Sequence, residues 1–327
     1  MQDRVSIRGA QRTRVIGFCM AFAAAVIWGT LGIFAKFIYV YDLEPVVLVS
    51  LRGSIAFVTL FIILAARDRC KLRVPRQDLW FFVAFGLVGV TLNHMSYFEA
   101  LKRTTATTAV ILLYTAPVYV TLGAAAFFGE SLTLTKIAAL VVTFGGCFLV
   151  AGGYEPKLLA LNPTGVLFGL TAAIAYASYT LMSKRALERH SSWTSVLWAF
   201  GFGSLFLLCL AGGRIAKVAS LPLRAWLLIL GLAWGPTLAA YWLHMEALTR
   251  IEASHAGIVC MAEPAATALL SYVLLGERMT PWKLLGAALV LVGVLILQVQ
   301  SIGDSSARGR RSGTSEREEV NAGHGTG

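Results

Sequence analysis

Apolar residues recur along this chain in stretches near twenty residues, separated by short polar connections. Ten such stretches run 15–37, 46–66, 77–98, 104–128, 134–152, 162–183, 193–212, 223–243, 252–275 and 282–299. A hydrocarbon core about 30 Å thick needs roughly 20 helical residues to cross it, so each stretch predicts a transmembrane helix. The fifth and tenth are the shortest runs. Ile137–Val142 and Leu284–Leu297 are apolar all round and lack the alternation of a barrel strand. The connections are short, so neighbouring helices are expected to form antiparallel hairpins.

A repeat runs through this pattern. Glu99-Ala100-Leu101, Pro117, Glu130, Lys136 and Gly146 recur 147 residues later as Glu246-Ala247-Leu248, Pro264, Glu277, Lys283 and Gly293. Nearer the N-terminus the offset is 148: Gly17 aligns with Gly165, Trp28 with Tyr176 and Lys36 with Lys184. Each copy holds five spans. Five is odd, so the second copy enters the membrane from the opposite side. Inverted repeats of this kind are a known route to alternating access around one central site.

Composition agrees with the pattern. Of 327 residues 57% are hydrophobic and 14% charged, with a mean hydropathy of +0.72. A soluble domain carries about 25% charged residues, so a large soluble core is a poor fit. Glycine is frequent inside the spans, where small residues let helices approach closely. The five cysteines form no CxxC pair, and Cys19, Cys147, Cys209 and Cys260 lie in apolar segments as small hydrophobes. The first apolar segment is longer than a signal-peptide core and is read as retained.

Charge sets orientation. With the N-terminus in the cytoplasm, the inner side collects eighteen basic residues, from 4–14, 67–76, 136, 184–189, 250 and the tail; the outer side collects eight. The positive-inside bias therefore predicts both termini in the cytoplasm. The net charge of +11 is spread over loops beside apolar spans, which argues against nucleic-acid binding. The expected organisation is a cytoplasmic segment 1–14, a first repeat 15–152, a connecting loop 153–161, a second repeat 162–299 and a polar tail 300–327 read as disordered. The location expected is the inner (cytoplasmic) membrane, with the lipid bilayer as one partner. Monomer and homodimer both stay open.

Leu112-Leu113-Tyr114-Thr115-Ala116-Pro117, followed by Phe128-Gly129-Glu130-Ser131-Leu132, resembles the signature of the drug/metabolite transporter superfamily, specifically its EamA-type domain. The second copy repeats it as Glu263-Pro264 and Leu275-Gly276-Glu277-Arg278, and Pro45 with Arg52-Gly53 resembles the start of the family's second helix. The resemblance covers residues 15 to 299. It implies an all-α polytopic membrane protein, ten transmembrane helices in two inverted five-helix repeats around a central cavity that carries small solutes. Family members mostly export amino acids, metabolites or drugs, and some import.

Polar groups inside apolar spans are functional candidates by default. Glu263 sits near the middle of the ninth span where the first copy has Ala116; it suits a proton carrier or the partner of a cationic group. Arg52 lies about six residues into the second span. It either snorkels outward or clamps a solute carboxylate bidentately. His94 is a solute ligand, a proton relay or a packing histidine. Tyr114 lies three residues before Pro117. Trp28 and Tyr176 are aligned aromatics suited to cavity walls, with Trp234 and Tyr241 as further aromatics. Pro117 and Pro264 remove backbone donors and should break helices at the cavity. Glu130 and Glu277 are read as structural hallmarks that favour the starts of the fifth and tenth helices.

No GxxxxGK[ST] motif, paired metal-ligand spacing or catalytic constellation appears, so no cofactor and no enzyme activity are expected. The reading is a gradient-driven secondary transporter that exports small polar metabolites such as amino acids, with protons as a possible coupling ion. A multidrug or organic-cation efflux carrier is the alternative, and a membrane scaffold or enzyme the third class.

Overall fold

The computed structural model describes residues 2–159 and 161–300, apart from the side chains of 2–8 and 10. The tail from 301 onward lies outside them. Among the described residues nine helices are long and apolar enough to cross a membrane: Gln11–Tyr41, Pro45–Arg67, Arg76–Arg103, Ala106–Phe128, Pro163–Ala186, Ser192–Ser220, Leu223–Leu248, Ala253–Leu275 and Pro281–Gln300. Leu134–Val150 supplies the fifth crossing with 17 residues, about 25 Å of helix. Helices are numbered below as spans one to ten in chain order. The first starts earlier than the apolar run suggests, because Gln2–Trp28 is one continuous helix through the basic segment.

Local chemistry places the ends. Thr105, Thr133, Asn162 and Ser191 accept backbone N–H groups at the starts of spans four, five, six and seven. Gly129 and Gly276 end spans four and nine at φ of 65° and 66°, the left-handed conformation that favours glycine. They are repeat equivalents.

The packing is symmetric under exchange of the two halves. Span two packs on seven, and span five on ten. Span one packs on eight as span three packs on six. A Cβ on Gly17 would lie 2.8 Å from Arg250; one on its counterpart Gly165 would lie 3.0 Å from Arg103, the counterpart of Arg250. Spans five and ten cross at Gly146 and Gly286, where a Cβ on either would meet the other's carbonyl oxygen at 2.6 Å. The fold is thus two inverted five-helix repeats. Large apolar residues such as Val40, Phe127 and Leu134 are exposed on its outside, where lipid would meet them.

The helices depart from α geometry at matched places. Spans three and eight each contain a π-helical stretch, Phe85–Leu92 and Ala233–Ala239. The first is eight residues long and the second seven. Spans four and nine break at Tyr114–Thr115 and Met261–Ala262, just ahead of Pro117 and Pro264. Span one also breaks, at Gly29–Thr30, where a Cβ on Gly29 would meet Ala266 and Thr267 at 3.0 Å. Its counterpart, span six, is unbroken over 24 residues.

Gly286→Ala should force spans five and ten apart and lower unfolding stability in detergent by about 1–3 kcal/mol. Gly145, whose Cβ would meet nothing within 4 Å, is the control. Gly145→Ala should stay within about 0.5 kcal/mol of the parent in the same thermal unfolding measurement.

Candidate functional site

The irregular turns deliver their side chains to one place. Trp28 ends the first helical segment of span one, Tyr114 sits at the break of span four and Glu263 at the break of span nine. Arg52 comes from span two, His94 from the end of the π stretch in span three, and Tyr176 from span six. All six line one cavity of 390 Å³, with Tyr39, Asn93, Tyr97, Tyr241 and Thr267 among its other walls. Pro117 borders a void of 30 Å³ beside Tyr114 and Glu263, and Pro264 is buried within its helix.

Arg52 does not snorkel. It is 6% exposed, and its guanidinium lies 2.7 Å from His94 Nε2. His94 Nδ1 lies 2.7 Å from the Val90 carbonyl oxygen. A carbonyl only accepts, so Nδ1 carries the proton and Nε2 accepts from Arg52. The imidazole is therefore neutral here, and Arg52 keeps its charge. Glu263 is half-buried, and among the described residues its carboxylate accepts no hydrogen bond; Thr267 Oγ1 instead donates to the Glu263 backbone carbonyl at 2.9 Å. A buried cation and a carboxylate with unused acceptors thus face the same space.

The repeat equivalents of Arg52 and His94 are Phe200 and Tyr241, whose rings pack edge-on at 4.8 Å. One half supplies a polar pair and the other an aromatic pair at the same crossing. Trp28 packs edge-on against Tyr241 at 5.0 Å. Trp234 lies elsewhere: it is exposed, and its indole N–H donates to Thr59 at 3.1 Å. Tyr39, Tyr97 and Thr267 were not found from sequence. Tyr97 did carry a signal, since it aligns with His244 in the second copy.

The two ends of the bundle differ. At the end bearing Tyr39 and Leu101, which line the cavity, Lys36 pairs with Glu277 at 3.1 Å and both stay exposed. The other end is sealed. Glu130 accepts from the backbone N–H groups of Ala253 at 2.7 Å and Ser254 at 3.2 Å, and from the Ser254 hydroxyl at 2.5 Å. Glu130 thus caps span nine, while span five, the helix it was expected to favour, uses its own Thr133. Glu277 likewise serves an ion pair in place of the start of span ten. Lys184 donates to the carbonyls of Leu248 at 2.7 Å and Ile251 at 2.9 Å. Buried Lys136 reaches Glu252 at 2.5 Å.

The EamA-like transporter family matches residues 15–152 and 163–299. An "Uncharacterized transporter" from Archaeoglobus fulgidus is 31% identical over 74% of this chain and 85% of its own. The inner membrane transporter YicL of Salmonella typhimurium is 25% identical over 87% of this chain and 96% of its own. A "Probable terminal-alkyne amino-acid exporter" of Streptantibioticus cattleyicolor is 28% identical over 80% and 87%. One solved crystal structure at 21% identity shares the fold, with a TM-score of 0.74 over 87% of this chain and 96% of the other. Among the described residues no group of three or more His, Cys, Asp or Glu could hold a metal ion.

The sealed end titrates in acid. The hydrogen bond from His255, with help from Lys136, holds the Glu252 carboxyl at about 2 against an ordinary 4.5. A depressed carboxyl contributes stability that is complete above its unfolded value and lost as pH falls through its folded one. Glu252 is 41% exposed and solvent screens the pair, so Glu252→Gln should cost about 0.5–1 kcal/mol at pH 7. The gap from the parent should close as pH falls from 4.5 to about 2, read by thermal unfolding in detergent.

Proposed function

The chain belongs to the EamA-like transporter family, and from that premise we propose that it exports amino acids or closely related zwitterions across the cytoplasmic membrane by alternating access. The observation that supports this reading is the presence of Arg52 and Glu263 on the walls of one cavity. A zwitterion needs an anion and a cation a few ångströms apart. Arg52, whose neutral imidazole partner leaves its charge uncompensated, suits the carboxylate. Glu263 suits the ammonium. Trp28, Tyr114, Tyr176 and Tyr241 supply apolar walls for the side chain, and 390 Å³ suits a solute of that size.

An organic cation also fits Glu263 and the aromatic walls, yet Arg52 repels it. The zwitterion uses both charges, and it is preferred for that reason. The excess of basic residues at the N-terminal end puts that end in the cytoplasm. The sealed end, with Lys184 and Arg250, is then the inner one, and the cavity reaches the outer face. Glu263 doubles as the group that takes a proton when no solute is bound, coupling transport to the proton gradient.

Proteoliposome counterflow with an amino-acid panel tests the reading. At least one amino acid should exchange, and Arg52→Gln should lower its rate about 10- to 100-fold, since a charge-assisted hydrogen bond contributes about 1.5–3 kcal/mol. Collapse of the pH gradient should stop concentrative transport and leave exchange intact. Glu263→Gln should abolish concentrative transport and also slow exchange, because it removes both the proton-binding group and the partner of the ammonium. Movement of lipophilic cations with none of any amino acid would overturn the proposal in favour of cation efflux.

A further inference from the structure

The two repeats have one sequence frame but occupy two conformations, so each shows the form the other takes when the molecule reverses. We infer that the sealed half is the second face of the solute path: it opens along Thr180, Ser183 and His244, while the present mouth closes by Lys36 and Glu277 engaging the ends of spans three and four. This rests on the alternating-access reading above and assigns its moving contacts to named residues.

Three observations carry it. The first is the map between repeats. Lys184, which caps Leu248 and Ile251, corresponds to Lys36, and those carbonyls correspond to Leu101 and Thr104. Glu130, which caps Ala253 and Ser254, corresponds to Glu277, and its targets correspond to Ala106 and Thr107. The capping groups Lys184 and Glu130 and their targets therefore have chemically equivalent groups at the open mouth, down to the hydroxyl of Ser254 returning in Thr107. Lys136 beside Glu130 returns as Lys283.

The second observation is the lining. Leu31, Gly32 and Ala35 line the present cavity, and their equivalents are Tyr179, Thr180 and Ser183. Tyr97 lines it too, and its equivalent is His244. The third is that these equivalents are dissatisfied where they are. Thr180 Oγ1 and His244 Nε2 are buried with no hydrogen-bond partner, and the Tyr179 and Ser183 hydroxyls have at most each other. Buried polar atoms in a permanent core are almost always paired. Polar atoms left dry on the sealed side, at the positions that line the open side, have the character of a path closed on itself.

The latches are unequal. Glu252, which holds Lys136 at the sealed end, corresponds to Thr105 at the mouth. The mouth latch therefore has one carboxylate fewer than the sealed one.

The test uses the full chain in membranes, with exposed Cys19, Cys70 and Cys209 replaced by serine. Glu277→Cys with Thr107→Cys should cross-link. In the linked protein an added Ser183→Cys should react with a membrane-impermeant maleimide about tenfold faster than in the unlinked one. Linking Glu130→Cys to Ser254→Cys should suppress that labelling. A mouth pair that never links, or Ser183→Cys labelling that ignores either link, overturns the inference. A second variant reads the same point without cross-links. The exchange Lys36→Glu with Glu277→Lys keeps the present ion pair, but a carboxylate cannot donate to the carbonyls of Leu101 and Thr104. It should fold as the parent does and lose about tenfold or more in transport rate; unchanged transport overturns the inference. Links that behave as stated while no amino acid moves would uphold these contacts and refute the amino-acid reading instead.

Discussion

A backbone N–H or C=O at membrane depth has no water to meet, and that constraint decides where this protein can be irregular. Breaks occur only where protein or a cavity takes up the freed groups. At Gly29–Thr30 the Thr30 hydroxyl donates to the Ile27 carbonyl at 2.7 Å. At Tyr114–Thr115 the Thr115 hydroxyl does the same for Leu112 at 2.6 Å. The two π stretches use Thr91 and Thr237, each donating to the carbonyl five residues earlier. Each repair frees a neighbouring turn from straight helix geometry, and Trp28 and Tyr114 issue from those turns; at the break before Glu263 the Cys147 thiol donates to the Met261 carbonyl at 3.4 Å. The cavity is therefore a consequence of where the backbone could be broken and repaired.

Given that frame, the halves supply different things. Matched positions carry architecture: the left-handed Gly129 and Gly276, the prolines after the breaks of spans four and nine, and the glycines at which spans meet. Unmatched positions carry solute chemistry. Arg52 and His94 stand opposite an aromatic pair, Phe200 and Tyr241, and Glu263 stands where the first copy has alanine. A strictly symmetric protein would place two equal charges around its axis and repel itself. Divergence after duplication allows one cation and one carboxylate to share a single space.

Much of this was legible in the sequence. Helix count and inversion followed from apolar runs of membrane length and an odd number of spans per repeat. Six polar and aromatic candidates inside apolar runs converge on the cavity, because an unpaired polar group in hydrocarbon has few other places to go. The roles of Glu130 and Glu277 were not legible. Their short distance in sequence from spans five and ten suggested local capping, yet Glu130 reaches across the bundle to span nine. Nothing in local spacing encodes such a long-range contact. Tyr39 and Thr267 were hidden for a similar reason: the break in span one, which turns its outer half along the cavity, depends on close approach of Gly29 to span nine.

The widened turn of span three shows how far a backbone irregularity can reach. In the π stretch the Val90 carbonyl is presented to His94 Nδ1, which fixes the tautomer and points Nε2, as an acceptor, at Arg52. Had the guanidinium met Glu263 instead, the two charges would have satisfied each other and left little field in the cavity. A neutral imidazole holds Arg52 in place without cancelling it. The charges remain separate and both remain available, which is what a solute carrying one of each sign requires. A π-helical turn, a histidine tautomer and a retained positive charge form one chain of cause, and the second repeat, with tyrosine in place of histidine, has no means of making the same arrangement.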